Sequence, residues 1–463
     1  MKALAVLAVL LTACGQSAAH APAKDAAGTV DIAHAPDAAA VQDVHADTGS
    51  DVLAILDSTT KSDTAAPTDI AVDAAAPADV SQPKCVDPCD DGDPCTVGDF
   101  CEAGKCKPGI KKTWVFTSGG SNTASAAAVA LTPEGRVVAV SSTKTSPTES
   151  DSDIDVFEPG GGAPFTIHVG GAGQDALHAM HVSGAGAVFA GATTTASAGG
   201  WDGWLVHADV LAGKPALKVK QFGGAGDEEF YGVAPAGDGW VLAGYKTLDA
   251  QADPHLWLLR VDSQDQPVWD MTFGNTALDA AYDVTALADG GFVAVGETAP
   301  DGLEHVWLLK VDANGQQVWS QILHADVEST GWAVAALPGN AVAVAGRVHP
   351  KGDVSHAWLA RFGNDGKLQA ETILDPGIAY ALTVRPDGTL VLAGEDGKAA
   401  TWLALLGTDN TVLWQHGFPG YAAHGVASAP DGGLAVLATA PGAAASSIYR
   451  WTARLDASGA LCE

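Results

Sequence analysis

The sequence predicts an all-β fold: a seven-bladed β-propeller whose N-terminal strand closes the last blade, preceded by a small disulfide-rich module and a disordered tether. Two observations lead to this prediction. A unit of about 50 residues recurs between residues 110 and 463, and each copy holds four short strand patterns separated by turn signals. The chain also has 54 glycines and 13 tryptophans among its 463 residues, which suits many tight turns and one large aromatic side chain repeated in each unit.

The first residues predict export. Lys2 gives a positive start, and the apolar run 3–11 is too short to span a bilayer. The run ends in Leu11-Thr12-Ala13-Cys14, which resembles the lipobox of bacterial lipoproteins. The resemblance implies that residues 1–13 are a signal peptide and that Cys14 carries palmitate and other acyl chains, which anchor the protein at the outer membrane, on its cell-surface or periplasmic face. The alternative is an ordinary secretory signal peptide that contains a cysteine.

Residues 14–84 predict a disordered tether. The segment is rich in Ala, Asp, Pro, Thr and Val and contains no aromatic residue. Such a chain cannot bury enough apolar surface to offset its conformational entropy. The formal net charge of the whole chain is −31, which disfavours a nucleic-acid partner because phosphates would be repelled.

Residues 85–109 predict a cysteine module. Five cysteines fall within this short stretch: Cys85, Cys89, Cys95, Cys101 and Cys106. Its Cys-Asp-Asp-Gly-x-Pro-Cys-Thr motif resembles a short repeat of surface proteins in myxobacteria and their relatives. Disulfides are expected, because an exported segment this small has no hydrophobic core to stabilise it. Zinc at Cys85 and Cys89, and calcium at Asp90, Asp91 and Asp93, are the alternatives, but the ligand sets are incomplete and we expect no metal.

The units from residue 110 onward share one pattern. In one copy, Phe292 opens a Phe-Val-Ala-Val strand, Trp307 opens a Trp-Leu-Leu-Lys-Val strand, and 312–315 form a hairpin turn toward the strand that contains Trp319. The units resemble bacterial β-propeller repeats with FGGxGD, DGGxVxAG and WLLKxDxxG motifs. The tryptophans of the third strand pattern are expected to pack between neighbouring blades; they are Trp204, Trp257, Trp307, Trp358, Trp402 and Trp451.

The ends of the 110–463 domain predict ring closure. The first strands are expected to start near Ala127, Ala179, Tyr231, Tyr282, Trp332, Ala381 and Gly425. The last unit stops where its fourth strand should begin, and 113–120 resembles that missing strand, so the N-terminal strand should complete the last blade. Cys462 would then pair with a module cysteine, with Cys106 or Cys101 favoured, which gives three disulfides in all. The bond of Cys462 alone should contribute roughly 5 kcal/mol of stability, because it joins residues far apart in the chain. A free or intermolecular Cys462 is the alternative.

Few residues suggest chemistry. Asp175, Asp227 and Asp279 lie in glycine-rich loops, where they either bond their own backbone in Asx-type turns or line a rim that binds a cation or a sugar. The acidic run 149–155 is expected to be a solvated loop; the alternative is a calcium site, but the closing Gly and Glu of such a site are missing. His178 and His181 are expected to be a poor metal pair, because strand alternation puts them on opposite faces.

The sequence therefore favours a non-enzymatic lipoprotein that offers a propeller surface for binding. We expect a monomer anchored to the membrane by its lipid, with a protein or glycan partner and no cofactor. The first alternative is an assembly factor, since the Asp-Ala-Asn-Gly-Gln-Gln-Val-Trp segment is similar to repeats of the propeller lipoprotein in the outer-membrane barrel assembly machine. The second is a quinone-cofactor enzyme, although no matching charged cluster is found.

Overall fold

The fold was obtained as a computed structural model. It describes residues 89–462 except 94, 98, 103–104, 120–122, 147, 185, 212–214, 249–252, 275–276, 398–399, 419–421 and 442–447. The predicted signal peptide, the predicted lipid-attachment residue Cys14, the predicted tether 14–84 and Cys85 therefore lie outside the described residues. Within the described part of the chain, no helix has the length and apolar character needed to cross a membrane.

The cysteine module consists of two small antiparallel sheets. The first pairs β1 (Thr96–Val97) with β4 (Ile110–Lys111), and the second pairs β2 (Phe100–Glu102) with β3 (Lys105–Lys107). The β2–β3 hairpin is thus inserted between the two strands of the other sheet. This nesting decides which cysteine reaches the propeller.

Seven four-stranded antiparallel sheets follow, each a blade built from strands a, b, c and d in chain order. Blades 1 to 4 are β6–β9 (Thr123–Leu131, Val137–Ser146, Glu149–Phe157, Phe165–Val169), β10–β13 (Asp175–Ser183, Gly186–Thr193, Asp202–Asp209, Lys218–Phe222), β14–β17 (Glu228–Ala236, Gly239–Lys246, His255–Val261, Pro267–Phe273) and β18–β21 (Asp279–Ala286, Phe292–Thr298, His305–Val311, Gln317–Leu323). Blades 5 and 6 are β22–β25 (Glu328–Leu337, Ala341–His349, His356–Phe362, Leu368–Pro376) and β26–β29 (Ile378–Val384, Leu390–Glu395, Thr401–Leu406, Val412–Phe418). Blade 7 is β30–β32 (Ala422–Ser428, Leu434–Pro441, Ile448–Leu455) completed by β5 (Trp114–Gly119), and a short 3-10 helix (Pro338–Asn340) joins strands a and b of blade 5.

The a strands form a closed inner ring. Each contacts the a strands of the two neighbouring blades, and the ring closes between β30 and β6. Strand β5 pairs with β32 in the register Trp114↔Arg454 to Gly119↔Tyr449. The prediction that the N-terminal strand completes the last blade is confirmed, and no edge is left open where the chain ends meet. The a strands begin about three residues earlier than predicted.

The tryptophans of strand c fill the spaces between blades. All six are buried, with exposed fractions of 8% or less. Each packs against the preceding blade, as Trp307 of blade 4 does on Leu256 and Leu258 of blade 3. Four of the indoles also donate a hydrogen bond to strand d of their own blade; these donors are Trp257, Trp307, Trp358 and Trp402. The predicted packing role is confirmed.

The disulfide between the module and the C-terminus differs from the predicted pairing. Cys462 is bonded to Cys95, not to Cys106 or Cys101; Cys106 is bonded to Cys89, and Cys101 is also disulfide-bonded. The β1–β4 pairing explains the difference, because it holds Cys95 beside the start of β5. The Lys112 amide donates to the Cys95 carbonyl, at 2.9 Å.

The acidic run of blade 1 is also placed differently. It was expected to be a loop but forms strand c, Glu149–Phe157, in which Asp155 is only 7% exposed. Arg450 of blade 7 lies 3.3 Å from Asp153 and 3.8 Å from Asp155. The ion pair between blade 7 and blade 1 therefore offsets part of the desolvation cost of burying these carboxylates.

Candidate functional site

Every blade carries a β-bulge at the same place in strand a. One residue there has no partner on strand b, and the register resumes at the next residue. A bulge redirects a side chain and is common beside functional sites. In blade order, the seven bulge residues are Ala127, His178, Tyr231, Tyr282, Trp332, Tyr380 and His424.

Six of these seven residues carry rings, and the rings touch in sequence. We call this set, from His178 in blade 2 to His424 in blade 7, the aromatic collar. The ring centroids are separated by 4.8 Å (His178–Tyr231), 5.6 Å (Tyr231–Tyr282), 4.8 Å (Tyr282–Trp332), 5.8 Å (Trp332–Tyr380) and 5.2 Å (Tyr380–His424). Ala127 of blade 1 leaves the one gap in the arc.

The collar surrounds one mouth of the central channel. Each collar residue lies two to four residues after the start of its a strand, for example Tyr282 in Asp279–Ala286 and Trp332 in Glu328–Leu337. It therefore lies toward the face formed by the loops between strands d and a and between strands b and c. Tyr282 is 5% exposed, and the other collar rings are half-buried.

A second layer of polar side chains holds the collar rings. The Tyr282 hydroxyl donates to Glu297 Oε1 at 2.5 Å, and the Tyr380 hydroxyl donates to Glu395 Oε1 at 3.3 Å. His424 Nε2 lies 3.0 Å from the Thr439 hydroxyl. Each of these supporting residues lies on strand b of the same blade. It directly follows the strand b residue that is opposite the bulge, as Glu297 follows Gly296.

In blade 3 the support comes from strand a itself. Glu229 accepts hydrogen bonds from the hydroxyls of Tyr231 and Tyr245, both at 2.8 Å, and lies 3.5 Å from His178 Nε2. Burial opposes ionisation of Glu229, but these hydrogen bonds and the imidazole outweigh it, so its pKa is lowered. The carboxylate is therefore charged near neutral pH.

The collar is most acidic between blades 4 and 5. Glu328 Oε1 lies 2.9 Å and Glu304 Oε2 lies 3.6 Å from Arg347 Nη2. Burial raises the pKa of Glu297 to about 7, and burial together with the charges of Glu297 and Glu328 raises the pKa of Glu304 to about 8. Glu304 and Glu328 thus share one guanidinium, and Glu297 and Glu304 titrate near neutral pH.

Three atoms of this group lack a hydrogen-bond partner within the described part of the chain. They are Glu297 Oε2, Glu304 Oε2 and the Trp332 indole Nε1, and all three are buried. An unpaired buried polar atom costs free energy unless a ligand or water satisfies it. Glu304 Oε2 lies within ion-pair distance of Arg347, so the collar leaves one acceptor, Glu297 Oε2, and one donor, Trp332 Nε1, unsatisfied.

The sequence contained a signal for the collar. Five b strands have a glycine opposite the bulge, as Gly296 is opposite Ala281 in blade 4. A Cβ on these glycines would overlap a carbonyl oxygen of strand a. The repeated Ala/Val-Gly pair at the end of strand b thus marks the residue across from it as a bulge. Sequence reasoning placed Tyr231, Tyr282 and Trp332 in strand a but gave them no role.

The predicted loop aspartates do not form one site. Asp175 is buried and accepts a hydrogen bond from the Gly171 amide at 2.8 Å. It therefore bonds the backbone of its own loop, as predicted, but the donor lies four residues earlier in the chain, so the contact is not an Asx turn. In blade 3 the same role falls to Glu228, which accepts from Gly224 at 2.9 Å, while Asp227 is exposed. Glu228, and not the predicted Asp227, is therefore the residue of blade 3 that is equivalent to Asp175.

The module carboxylates bond mostly to backbone. Asp90, Asp91 and Asp99 have oxygens within 4.8 Å of one another, and their site is empty. Asp93, the third residue considered for calcium, accepts from the Cys95 amide at 2.8 Å instead. These side chains hold the turns of the module.

The opposite face carries a pocket. A cavity of about 660 Å³ lies where the module meets blades 7 and 1, lined among others by Lys111, Lys112, Pro159 and Ser458. Arg454 at its wall pairs with both oxygens of Asp431 at 2.8 Å. The module therefore lies on the face of the a–b and c–d turns, away from the collar.

No protein-family model matches the sequence, and a search of curated proteins finds no match. Solved β-propellers are similar in fold. The WD40 propeller domain of Doa1 has a TM-score of 0.48 and 11% identity over 73% of this chain and 97% of its own, and Sqt1 from Chaetomium thermophilum has a TM-score of 0.46 and 16% identity over 70% and 83%. The β-propeller domain of the Trilobed protease from Pyrococcus furiosus has a TM-score of 0.41 and 10% identity over 68% and 91%. These likenesses concern the propeller fold alone.

Proposed function

We propose that this chain is a non-enzymatic binding lipoprotein of the outer membrane, anchored through Cys14, which holds a partner protein at the aromatic collar. The observation that carries the proposal is the arc of six touching rings at bulge positions on one face of the propeller. Clustered, half-buried Tyr and Trp side chains supply most of the binding energy in many protein interfaces.

The contrast with strand c supports this assignment. The strand c tryptophans are buried and pack the blades together. The collar rings lie on the inner ring of strands, and most of them stay half-buried. Tyr282 belongs to a small buried cluster with Tyr245 and Ala280, against which Tyr231 and Trp332 pack. The exposed parts of the half-buried rings are available for a partner.

The protonation states suit binding. Burial, followed by the nearby carboxylates, raises the pKa of Tyr245 and Tyr282 well above the ordinary value, so both phenols remain hydrogen-bond donors. Burial lowers the pKa of His424 to about 4, which leaves the imidazole neutral. These groups keep their form across the physiological range.

The arrangement of the two faces is also favourable. The chain enters the fold through the module, which lies on the face opposite the collar. A lipid-anchored protein attached from the module side keeps its collar free for a partner.

Photo-crosslinking in intact cells tests the proposal. A benzoylphenylalanine at Tyr380 should crosslink to a partner, whereas the same residue at Val318, which is 55% exposed on an outer strand, should not. Equal crosslinking at both positions, or none at Tyr380, would contradict a role for the collar. Capture of the barrel assembly complex by either position would favour the assembly-factor alternative.

A further inference from the structure

We propose that the collar receives an organic cation, namely a lysine or arginine side chain that a partner protein inserts into the mouth of the central channel. The inference rests on the proposed function, because it takes the collar as the binding surface. It follows from the rings, the carboxyl groups behind them and the atoms left without partners.

The collar rings form one continuous aromatic arc. Trp332 lies in the middle of the arc, with Tyr282 stacked on it at 4.8 Å and Tyr380 in an edge contact at 5.8 Å. Trp and Tyr are the aromatic side chains that attract cations most strongly through the ring quadrupole. An ammonium or guanidinium group beside these rings would be stabilised more than a neutral group.

The carboxyl groups strengthen this preference. Tyr231, Tyr282 and Tyr380 each donate their hydroxyl to a carboxyl group, and such a bond increases the electron density of the ring. Glu229 therefore places negative charge directly behind Tyr231, and Glu297 does so behind Tyr282 when it is ionised. The overall charge of −31 attracts basic partners from a distance.

The unpartnered atoms match a donor-rich ligand. Glu297 Oε2 is an acceptor without a hydrogen-bond partner in the described part of the chain, and Glu297 is fully buried. Glu304 Oε2 also has no hydrogen bond there but lies 3.6 Å from Arg347 Nη2. A lysine ammonium has three N–H donors and an arginine guanidinium has five. The unpaired Trp332 Nε1 requires an acceptor, which the backbone carbonyl of a peptide provides and an inorganic cation does not.

The carboxyl groups between blades 4 and 5 outnumber the guanidinium that contacts them. Among the described residues, the Arg347 guanidinium contacts both Glu304 and Glu328. The titratable and charged groups around the collar come from strands a and b and one loop; they are His178, Glu229, Tyr231, Tyr245, Tyr282, Asp283, Glu297, Glu304, Glu328, Arg347, Tyr380, Glu395 and His424. A bound cation should therefore favour ionisation of Glu297 and Glu304 and release protons to the buffer.

Calorimetry with defined peptides tests the inference on the full-length protein in detergent micelles. The probes are acetyl-Gly-Gly-Lys-Gly-Gly-amide and the same peptide with norleucine, which keeps the methylene stem but has no charge. At pH 7.5 we expect the lysine peptide to bind at least about tenfold more tightly, which corresponds to 1.4 kcal/mol. Its apparent heat should change with the ionisation enthalpy of the buffer, because protons are released.

Variants locate the site. Trp332→Ala and Glu297→Gln should each weaken binding of the lysine peptide about fivefold or more, whereas Val318→Ala on the outer strand should leave it unchanged. Unfolding midpoints of the variants show that each is folded. Because the comparison of the two peptides uses the unaltered protein, it remains decisive if a variant does not fold.

The outcomes separate the two proposals. Equal binding of both peptides, binding of neither, or binding of maltoheptaose in place of the lysine peptide would overturn the cation inference. If the collar still crosslinks to a partner in cells, the proposed function stands without it. If Tyr380 crosslinks to nothing and neither peptide binds, both are wrong.

Discussion

The bond between Cys95 and Cys462 joins residues 367 apart and links the module to the end of the last blade. We expect its removal by the double substitution Cys95→Ser and Cys462→Ser to destabilise the propeller strongly. In the folded protein, little besides the bond changes, because the Cys462 amide still donates to the Thr113 hydroxyl at 2.9 Å and β5 still pairs with β32. The main effect is on the unfolded chain.

The magnitude follows from the size of the closed loop. The chain-entropy relation gives about 6 kcal/mol at 25 °C for a separation of 367 residues. The Cys89–Cys106 bond, with a separation of 17, gives about 3 kcal/mol by the same relation. That second bond lies wholly within the module, so its loss should leave the unfolding of the propeller unaffected.

Urea denaturation followed by tryptophan fluorescence measures the effect, because most of the tryptophans lie between the blades. The Cys95→Ser/Cys462→Ser variant should unfold at a clearly lower urea concentration than the unaltered protein, and the Cys89→Ser/Cys106→Ser variant should match the unaltered protein. If both double variants unfold at the same midpoint as each other, loop closure across the ring is not what stabilises the blades, and the reasoning is refuted.

Three other predictions concern the anchor, the collar and the bulge. Replacement of Cys14 by Ser should abolish labelling by radioactive palmitate and move the protein from the detergent phase to the aqueous phase; retention in the detergent phase would rule out this anchor. Because burial raises the folded-state pKa of Glu297 to about 7 and that of Glu304 to about 8, the free energy of unfolding should fall as pH rises from about 5 to about 8. Glu297→Gln should flatten this dependence and stabilise the protein most at high pH, and an unchanged pH profile would show that Glu297 ionises normally. Gly296→Ala should lower the free energy of unfolding by about 2 kcal/mol, because the new methyl group overlaps the facing carbonyl oxygen. In the control Gly417→Ala, the new Cβ would be 3.8 Å from its nearest neighbour, and the loss should be less than about 0.5 kcal/mol. Equal losses of the two variants in urea denaturation would remove the steric argument for the bulge.

Local pattern was enough for the architecture. The turn residues 312–315 and the period of Trp307 and its equivalents predicted the blades, because strand alternation and turn chemistry depend on residues close together in the chain. The count of seven blades and the closing role of the strand at Trp114 followed from the same repeats. The packing role of the tryptophans followed as well, since the strand c pattern is apolar on both faces.

Contacts between distant parts of the chain could not be predicted from local pattern. The acidic segment of blade 1 was predicted to be a loop, whereas it is a strand whose partner Arg450 comes from blade 7 and is distant in sequence. The collar was missed because one extra residue in strand a reverses which side chains face the channel, and regular alternation does not reveal such a shift.

The sequence by itself determined a ring of seven four-stranded blades, closed by joining its two ends, with a cysteine module beside the closure. These features depend on short-range periodicity and on the requirement that no sheet edge be left open. Only the tertiary structure decided that Cys95 bonds Cys462, because the pairing of β1 with β4 brings Cys95 to the start of β5 and carries Cys106 away in the inserted hairpin. It likewise decided that the rings from His178 to His424 form one surface, because bulges in six separate strands have to meet around a common channel before their side chains can touch.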